Sequence, residues 1–374
     1  MTDKKEMIKN TIYKSSLLLP LCLSLAVCAG LPPLYGLITA LAGAVLLRIS
    51  PETDLSPTLL VFLIFLFVNS EIGKEALPLC GITGAIFSLI IYSIKPIKSK
   101  MSESCVFGSL SLMTALFITV FVTNSYFGIG ASGNTIIGML KSYRSLGFHP
   151  NWRGILYGTI VMVVMITFPR KFKKGTKLIS APFYAIIITY ILNLLLVPGN
   201  TVRTFAEIGK PELRIGCDFA VIQSLPGNGI KPIMTIILSG IAAGIVFGYS
   251  VIKSEGNTGS LVSASASGAI SSVFGIPAVA CGNTKAKEFL AGIASAAIMI
   301  AVALPTSLFA RLPIASAAVV LIVAGWQNLD KPAIKQALKK PLGIIGLLIA
   351  IAVSAIYTPA AGVIIGFIMS FILK

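Results

Sequence analysis

The chain has 374 residues, 56% of them hydrophobic and only 11% charged, where a soluble domain carries roughly 25% charged residues. That composition excludes a water-soluble protein. Thirty Lys and Arg against thirteen Asp and Glu give a net charge of +17, yet the basic residues cluster in short segments between apolar runs. This is the pattern of loops beside anionic lipid, not of a nucleic-acid-binding surface.

A membrane-crossing helix needs about 20 apolar residues, because the hydrocarbon core is ~30 Å thick and a helix rises ~1.5 Å per residue. The runs in this sequence meet that length repeatedly. Stretches such as 155–168 are apolar on every side, whereas barrel strands alternate, so the spans are helices and the fold class is an all-α polytopic membrane protein. Residues 1–14 are polar and include Lys4, Lys5, Lys9 and Lys14. The first apolar stretch then leads straight to Pro32, Pro33 and a second span, so it reads as a retained helix and not a cleavable signal.

In chain order the first half offers seven spans, at about 13–30, 33–48, 56–69, 77–94, 104–123, 153–169 and 178–197. The second half offers seven again, at about 231–252, 260–274, 284–291, 292–310, 312–327, 341–356 and 359–373. The expected division is therefore a first seven-helix repeat over 1–197, an extracytoplasmic loop over 198–230 and a second repeat over 231–374, with no soluble domain after the last span. Basic residues gather after even-numbered spans: Lys95, Lys98 and Lys100, then Arg170, Lys171, Lys173, Lys174 and Lys177, then Lys331, Lys335, Lys339 and Lys340. With a basic amino terminus inside, this asymmetry predicts a cell-membrane protein with both termini in the cytoplasm.

The third and tenth spans are unusual. Ser56-Pro57-Thr58 predicts a helix start, with Ser as cap and Pro where no N–H is needed, followed by an apolar run of only about 13 residues. Residues 275–284 contain Gly275, Pro277 and Gly282 and predict a break, after which a capped short helix opens at Asn283 or Thr284. Interrupted segments at matched positions in two halves point to a transport site, because half-helix amino termini present N–H groups and positive dipole ends to an anion. Lys285, in the first turn of the second such helix, opposes the macrodipole, and a bound anion would offset that cost. Pairing with Glu288 is the competing explanation.

The six cysteines show no metal-binding spacing, and most lie in apolar runs as small fillers. His149 stands alone in a loop. Neither a metal nor another cofactor is implied.

Several motifs also carry a likeness. Pro20 followed by Ala29-Gly30-Leu31-Pro32-Pro33-Leu34-Tyr35-Gly36-Leu37 resembles the first two spans of the sulfate permease (SulP) family, with its AGLPPVYGLY. Ser56-Pro57-Thr58 resembles the Gly-Pro-x opening that family's third helix, and Ser272 to Pro277 its GLFGGIP. Leu312-Pro313-Ile314-Ala315 through Ala324-Gly325-Trp326 resembles its LPLAALAAILIVVGW. The resemblance implies two inverted seven-helix repeats split into core and gate domains. It places an anion between the third and tenth helices, flanked by the first and eighth.

The candidate substrate-binding residues are thus Ser56, Pro57, Thr58, Cys22, Cys281, Gly282, Asn283, Thr284 and Lys285. The family's Gln after the first-helix proline is Leu21 here, its SRS reads Asn283-Thr284-Lys285, and its eighth-helix acid has no counterpart between Ile233 and Ile252. No STAS domain is expected after the last span.

The implied partners are a small anion, such as sulfate, bicarbonate or chloride, and the lipid bilayer; a homodimer is compatible with the family. A nucleobase or organic-anion carrier of the same fold would place carboxylates in the eighth and tenth helices, where only Glu288 stands. A passive anion channel is a further alternative. Membrane-embedded catalysis would need paired carboxylates, a His cluster or a Ser with a base, and none is present, so the chain is not read as an enzyme. The absence of a GxxxxGK[ST] motif argues against ATP as its own drive.

Overall fold

The computed structural model describes residues 2–47, 55–129, 133, 135–147, 149–171, 179–196, 204–205, 230–253, 258–273, 286–303 and 310–372. Among them only one isolated β-bridge, between Thr204 and Pro313, accompanies the helices. In order these are α1 (Thr2–Cys28), α2 (Pro33–Leu46), α3 (Ser56–Glu71), α4 (Leu77–Ser93), α5 (Lys95–Glu103), α6 (Cys105–Phe127), α7 (Ile136–Leu146) and α8 (Trp152–Lys171). Then follow α9 (Ala181–Leu196), α10 (Ile230–Lys253), α11 (Thr258–Ser272), α12 (Ala286–Ala303), α13 (Ile314–Gln327), α14 (Lys331–Lys339), α15 (Pro341–Ile356) and α16 (Pro359–Ile372). Met7–Cys28, Lys74–Ser93, Val106–Phe127 and Ile230–Lys253 are each long and apolar enough to cross a membrane alone.

The Gly-Leu-Pro-Pro-Leu-Tyr-Gly segment has a physical role at each of its special residues. Gly30 takes φ +72°, the left-handed conformation that ends α1, and the Leu31 N–H closes the cap on the Ala26 carbonyl at 2.9 Å. Pro33 begins α2, where its missing N–H costs nothing. A side chain at Gly36 would run into the Cys22 carbonyl, so glycine lets α1 and α2 cross with their backbones in contact. The same device joins α4 to α10, where a Cβ on Gly84 would lie 3.1 Å from the Gly240 carbonyl and one on Gly244 2.6 Å from that of Gly84.

Pro20 lies inside α1 and has no N–H to give the Ser16 carbonyl one turn earlier. Ser180, just before α9, fills the gap. Its hydroxyl donates to Ser16 O at 2.6 Å, and its backbone N–H donates to Ser16 Oγ at 2.8 Å. The break in α1 therefore becomes its attachment to α9.

Lateral bonds sort the helix ends into two faces. On one, Lys14 Nζ donates to the Leu47 carbonyl at the end of α2, the Leu55 N–H before α3 meets Asn328 Oδ1 after α13, and Gln327 Nε2 reaches Met165 O in α8. On the other, Asn69 Nδ2 reaches Ala29 O, the Asn151 N–H reaches Phe127 O, and Asn193 Nδ2 reaches Arg311 O. The basic segments expected on one side, around 95–100 and 331–340, share the first face.

Three expectations need correction. The boundary expected between 291 and 292 is absent, since α12 runs unbroken from Ala286 to Ala303. Gly292 is a close-packing glycine, not a breaker: its Cβ would meet the carbonyl and neighbouring backbone of Ala44 in α2. Ser56 does not cap α3; the cap position is Leu55, with no side-chain bond, and Ser56 is the first helical residue. The basic segments at 95–103 and 331–339 are short helices, not loops; in the second, Asp330 Oδ1 caps α14 by accepting the Ala333 N–H at 3.0 Å and Pro332 sits in its first turn.

Ser180→Ala leaves a buried carbonyl without its partner and should cost about 1 to 3 kcal/mol. In a Pro20→Ala background residue 20 regains an N–H for Ser16, so the same change should cost much less. Unfolding of the four proteins in detergent measures both losses, and equal losses would refute this account of the α1 break.

Candidate functional site

The candidate site is the mouth of α3. The helix has 16 residues, about 24 Å, too short to cross a core of ~30 Å unaided. Its residues from Pro57 to Phe65 are all buried, so it is enclosed by protein rather than lipid. Thr58 is 3% exposed. The amino terminus thus opens inside the helix bundle, on the face that carries the basic segments.

Beside it is a small cleft, open to solvent, lined in part by Ser56 and Pro57. Its other polar lining residues are Ser111 and Thr114 of α6 and Tyr249 and Lys253 of α10. Phe107 and Tyr249 meet edge to face at 4.5 Å and fix one wall. The hydroxyls of Ser111 and Thr114 donate back to the carbonyls of Gly108 and Leu110, at 3.0 and 2.9 Å. The positive potential this mouth can offer an anion comes from the amino end of α3 and the ammonium of Lys253.

Lys253 is held by Asp330, with Nζ 2.7 Å from Oδ2. Asp330 does three things at once: it pairs with Lys253, caps α14, and its backbone N–H donates to Ser111 Oγ at 3.0 Å. Gly108 makes room for this hub, because a Cβ there would strike Ala333 and approach both Asp330 and the Tyr249 hydroxyl. Asn328, two residues before Asp330, holds the Leu55 N–H at 3.2 Å. The segment between α13 and α14 thereby ties together the starts of α3 and α6 and the end of α10.

Of the residues singled out in the sequence, Ser56, Pro57 and Thr58 stand at this mouth. Cys22 is 1% exposed within α1, its carbonyl against Gly36, and does not line the space. Cys281, Gly282, Asn283, Thr284 and Lys285 lie outside the described residues, and so does the expected approach of Asn283 to Thr58. Sequence reading passed over Ser111, Tyr249, Lys253, Asn328 and Asp330. One signal was available: Asp330 is the only acidic side chain after Glu288, set among lysines.

No family model matches the sequence, and neither does any curated protein. Solved structures do. The chain superposes on the transmembrane domain of BicA, a bicarbonate transporter from a cyanobacterium, with TM-score 0.66 and 15% identity over 98% of this chain and 96% of that one. SLC26A9 gives 0.65 and 12%, covering 98% of this chain and 64% of its own. The murine Slc26a9 anion transporter in its inward-facing state gives 0.64 and 12%, with 98% and 68% covered. The chain thus has the fold of a sulfate-permease-type membrane domain.

Asp330→Asn keeps a capping side chain but removes the charge facing Lys253. Loss of this partly exposed pair, worth about 0.5 to 1 kcal/mol, should open the mouth. A cysteine placed at Ser56 should then be alkylated by a charged maleimide about two- to fivefold faster than in the Asp330 parent. An unchanged rate would mean that the pair does not guard the mouth.

Proposed function

We propose that the protein is a secondary transporter that carries a small inorganic anion across the cell membrane by alternating access, with the anion held at the mouth of α3. The observation that carries this reading is the buried amino terminus of α3, beside Lys253, in a fold otherwise seen in a bicarbonate transporter and in anion transporters of the SLC26 type. A helix start inside the bundle supplies oriented N–H groups and a positive dipole end without a fixed counter-charge, which suits a ligand that must bind and then leave. Ser56, Pro57 and Thr58 form the described side of the site. Cys281, Gly282, Asn283, Thr284 and Lys285 are proposed to close it from the second half, and Cys22 to support it from α1.

The halves 1–197 and 231–374 are proposed as inverted repeats around the 198–230 loop, with core and gate parts moving against each other and both termini in the cytoplasm. α10 holds no carboxylate between Ile233 and Ile252, so uptake should persist when sodium is replaced by potassium. A carrier is favoured over an open channel because ties such as Leu55–Asn328 and Lys253–Asp330 cross the mouth. Saturable uptake accelerated by unlabelled anion on the far side would bear this out, and ohmic conductance would not.

Ser56→Asp separates folding from function. A carboxylate in the first turn of a helix is favourable by about 0.3 to 1 kcal/mol, so thermal stability should hold or rise. The same charge repels an anion, and uptake of labelled bicarbonate, sulfate and chloride into proteoliposomes should fall at least about tenfold, the equivalent of ~1.4 kcal/mol. Full uptake by this variant would remove the mouth of α3 from the transport path.

A further inference from the structure

α14 is bent by 118° from α15 at Lys340, so it lies across the direction of the spans instead of along it. Ala337 is buried, Ala333 packs on Gly108 of α6, and Ile334 is half-buried. Next around the helix comes Leu338, 53% exposed, and beyond the turn Leu342 is 52% exposed. Then come Lys331, Lys335 and Lys339 at four-residue spacing, with Lys340 at the end, all exposed. None of these four lysines has an ion-pair partner among the described residues. The order buried, apolar and exposed, then cationic is that of a helix lying at a bilayer interface, with leucines toward acyl chains and lysines toward headgroups.

We propose that the exposed face of α14 is a docking surface for anionic lipid headgroups. Charge complementarity selects the occupant: four lysines in ten residues and no acidic side chain but Asp330, which Lys253 already engages. Neutral lipid satisfies the leucines alone, whereas anionic lipid satisfies both stripes. The consequence reaches the candidate site, because the residue that caps α14 also holds Lys253 and Ser111. Headgroups that steady α14 steady the tie across the mouth of α3.

The inference rests on the membrane setting and not on transport, and its test reads no transport. The full chain is placed in nanodiscs of phosphatidylcholine, or of phosphatidylcholine with about one quarter phosphatidylglycerol, and amide exchange is followed over 331–340. The expected result is exchange roughly tenfold slower in the anionic discs for the parent. That difference should be lost in the variant carrying Lys331→Gln, Lys335→Gln, Lys339→Gln and Lys340→Gln. Comparing parent and variant in the same anionic discs removes the effect of lower surface pH, which both share. Equal exchange in the two lipids, or slowing that survives in the variant, overturns the proposal. Protection that tracks the number of chains per disc in either lipid would place a second copy on this face and overturn it equally.

Discussion

Inside a bilayer every backbone N–H and C=O must find its partner within the protein, and that constraint explains the points at which this structure departs from straight helices. Pro20 frees the Ser16 carbonyl, and Ser180 takes it. The end of α2 leaves the Leu47 carbonyl, and the buried Lys14 takes it, its charge favoured by the negative end of the helix. The start of α3 leaves the Leu55 N–H, and Asn328 takes it. Each irregularity is thus also a joint between helices far apart in sequence.

These joints satisfy backbone groups left over at helix ends and breaks. Between them the helices meet through small residues, with backbone nearly touching backbone at Gly36 against Cys22 and at Gly84 against Gly240 and Gly244, and through a few mid-helix hydroxyls such as Ser295, which donates to the Thr11 carbonyl at 3.1 Å. Lipid tails are as apolar as leucine, so association depends on close fit and not on hydrophobic exclusion. In the serine-rich α11, Ser265 meets Ser88 of α4 at 2.6 Å, while the Ser271 and Ser272 hydroxyls turn back to carbonyls of their own helix. Ser24 and Ser316 are buried hydroxyls with no partner among the described residues, and nothing in the structure accounts for them.

The apolar runs and the basic asymmetry made the class, the helix order and the shared face of 95–100 and 331–340 legible in the sequence. The Ser56-Pro57-Thr58 start was legible for the same reason: proline tolerates few helical positions. Interior glycines were harder to read, since a glycine that breaks a helix and one that admits a neighbour look alike. Gly292 in α12 is of the second kind. Short amphipathic helices were missed because nine residues such as 331–339 give too few turns for a pattern, although Asp330 followed by Pro332 marks the start of one. The Lys253–Asp330 and Leu55–Asn328 ties join residues 77 and 273 positions apart. No local pattern announces such a pairing.

The strength of the ties around α3 bears on whether the mouth can open and close. A fully buried ion pair would resist separation, because breaking it strands a charge at a cost of about 3 to 5 kcal/mol. Lys253 and Asp330 are 33% and 13% exposed, so water can take over each group as the pair parts, and the net cost falls toward about 1 kcal/mol. The Leu55–Asn328 bond adds a similar amount, about 1 kcal/mol for a neutral hydrogen bond. Together the two ties amount to about 2 kcal/mol, within the range a ligand's preference for one form over another can outweigh. The Ser16–Ser180 joint is of another kind. Both residues are buried, and parting them would leave a proline-freed carbonyl in apolar surroundings. The ties where α13, α14 and α10 meet are therefore cheaper to part than the joint between α1 and α9.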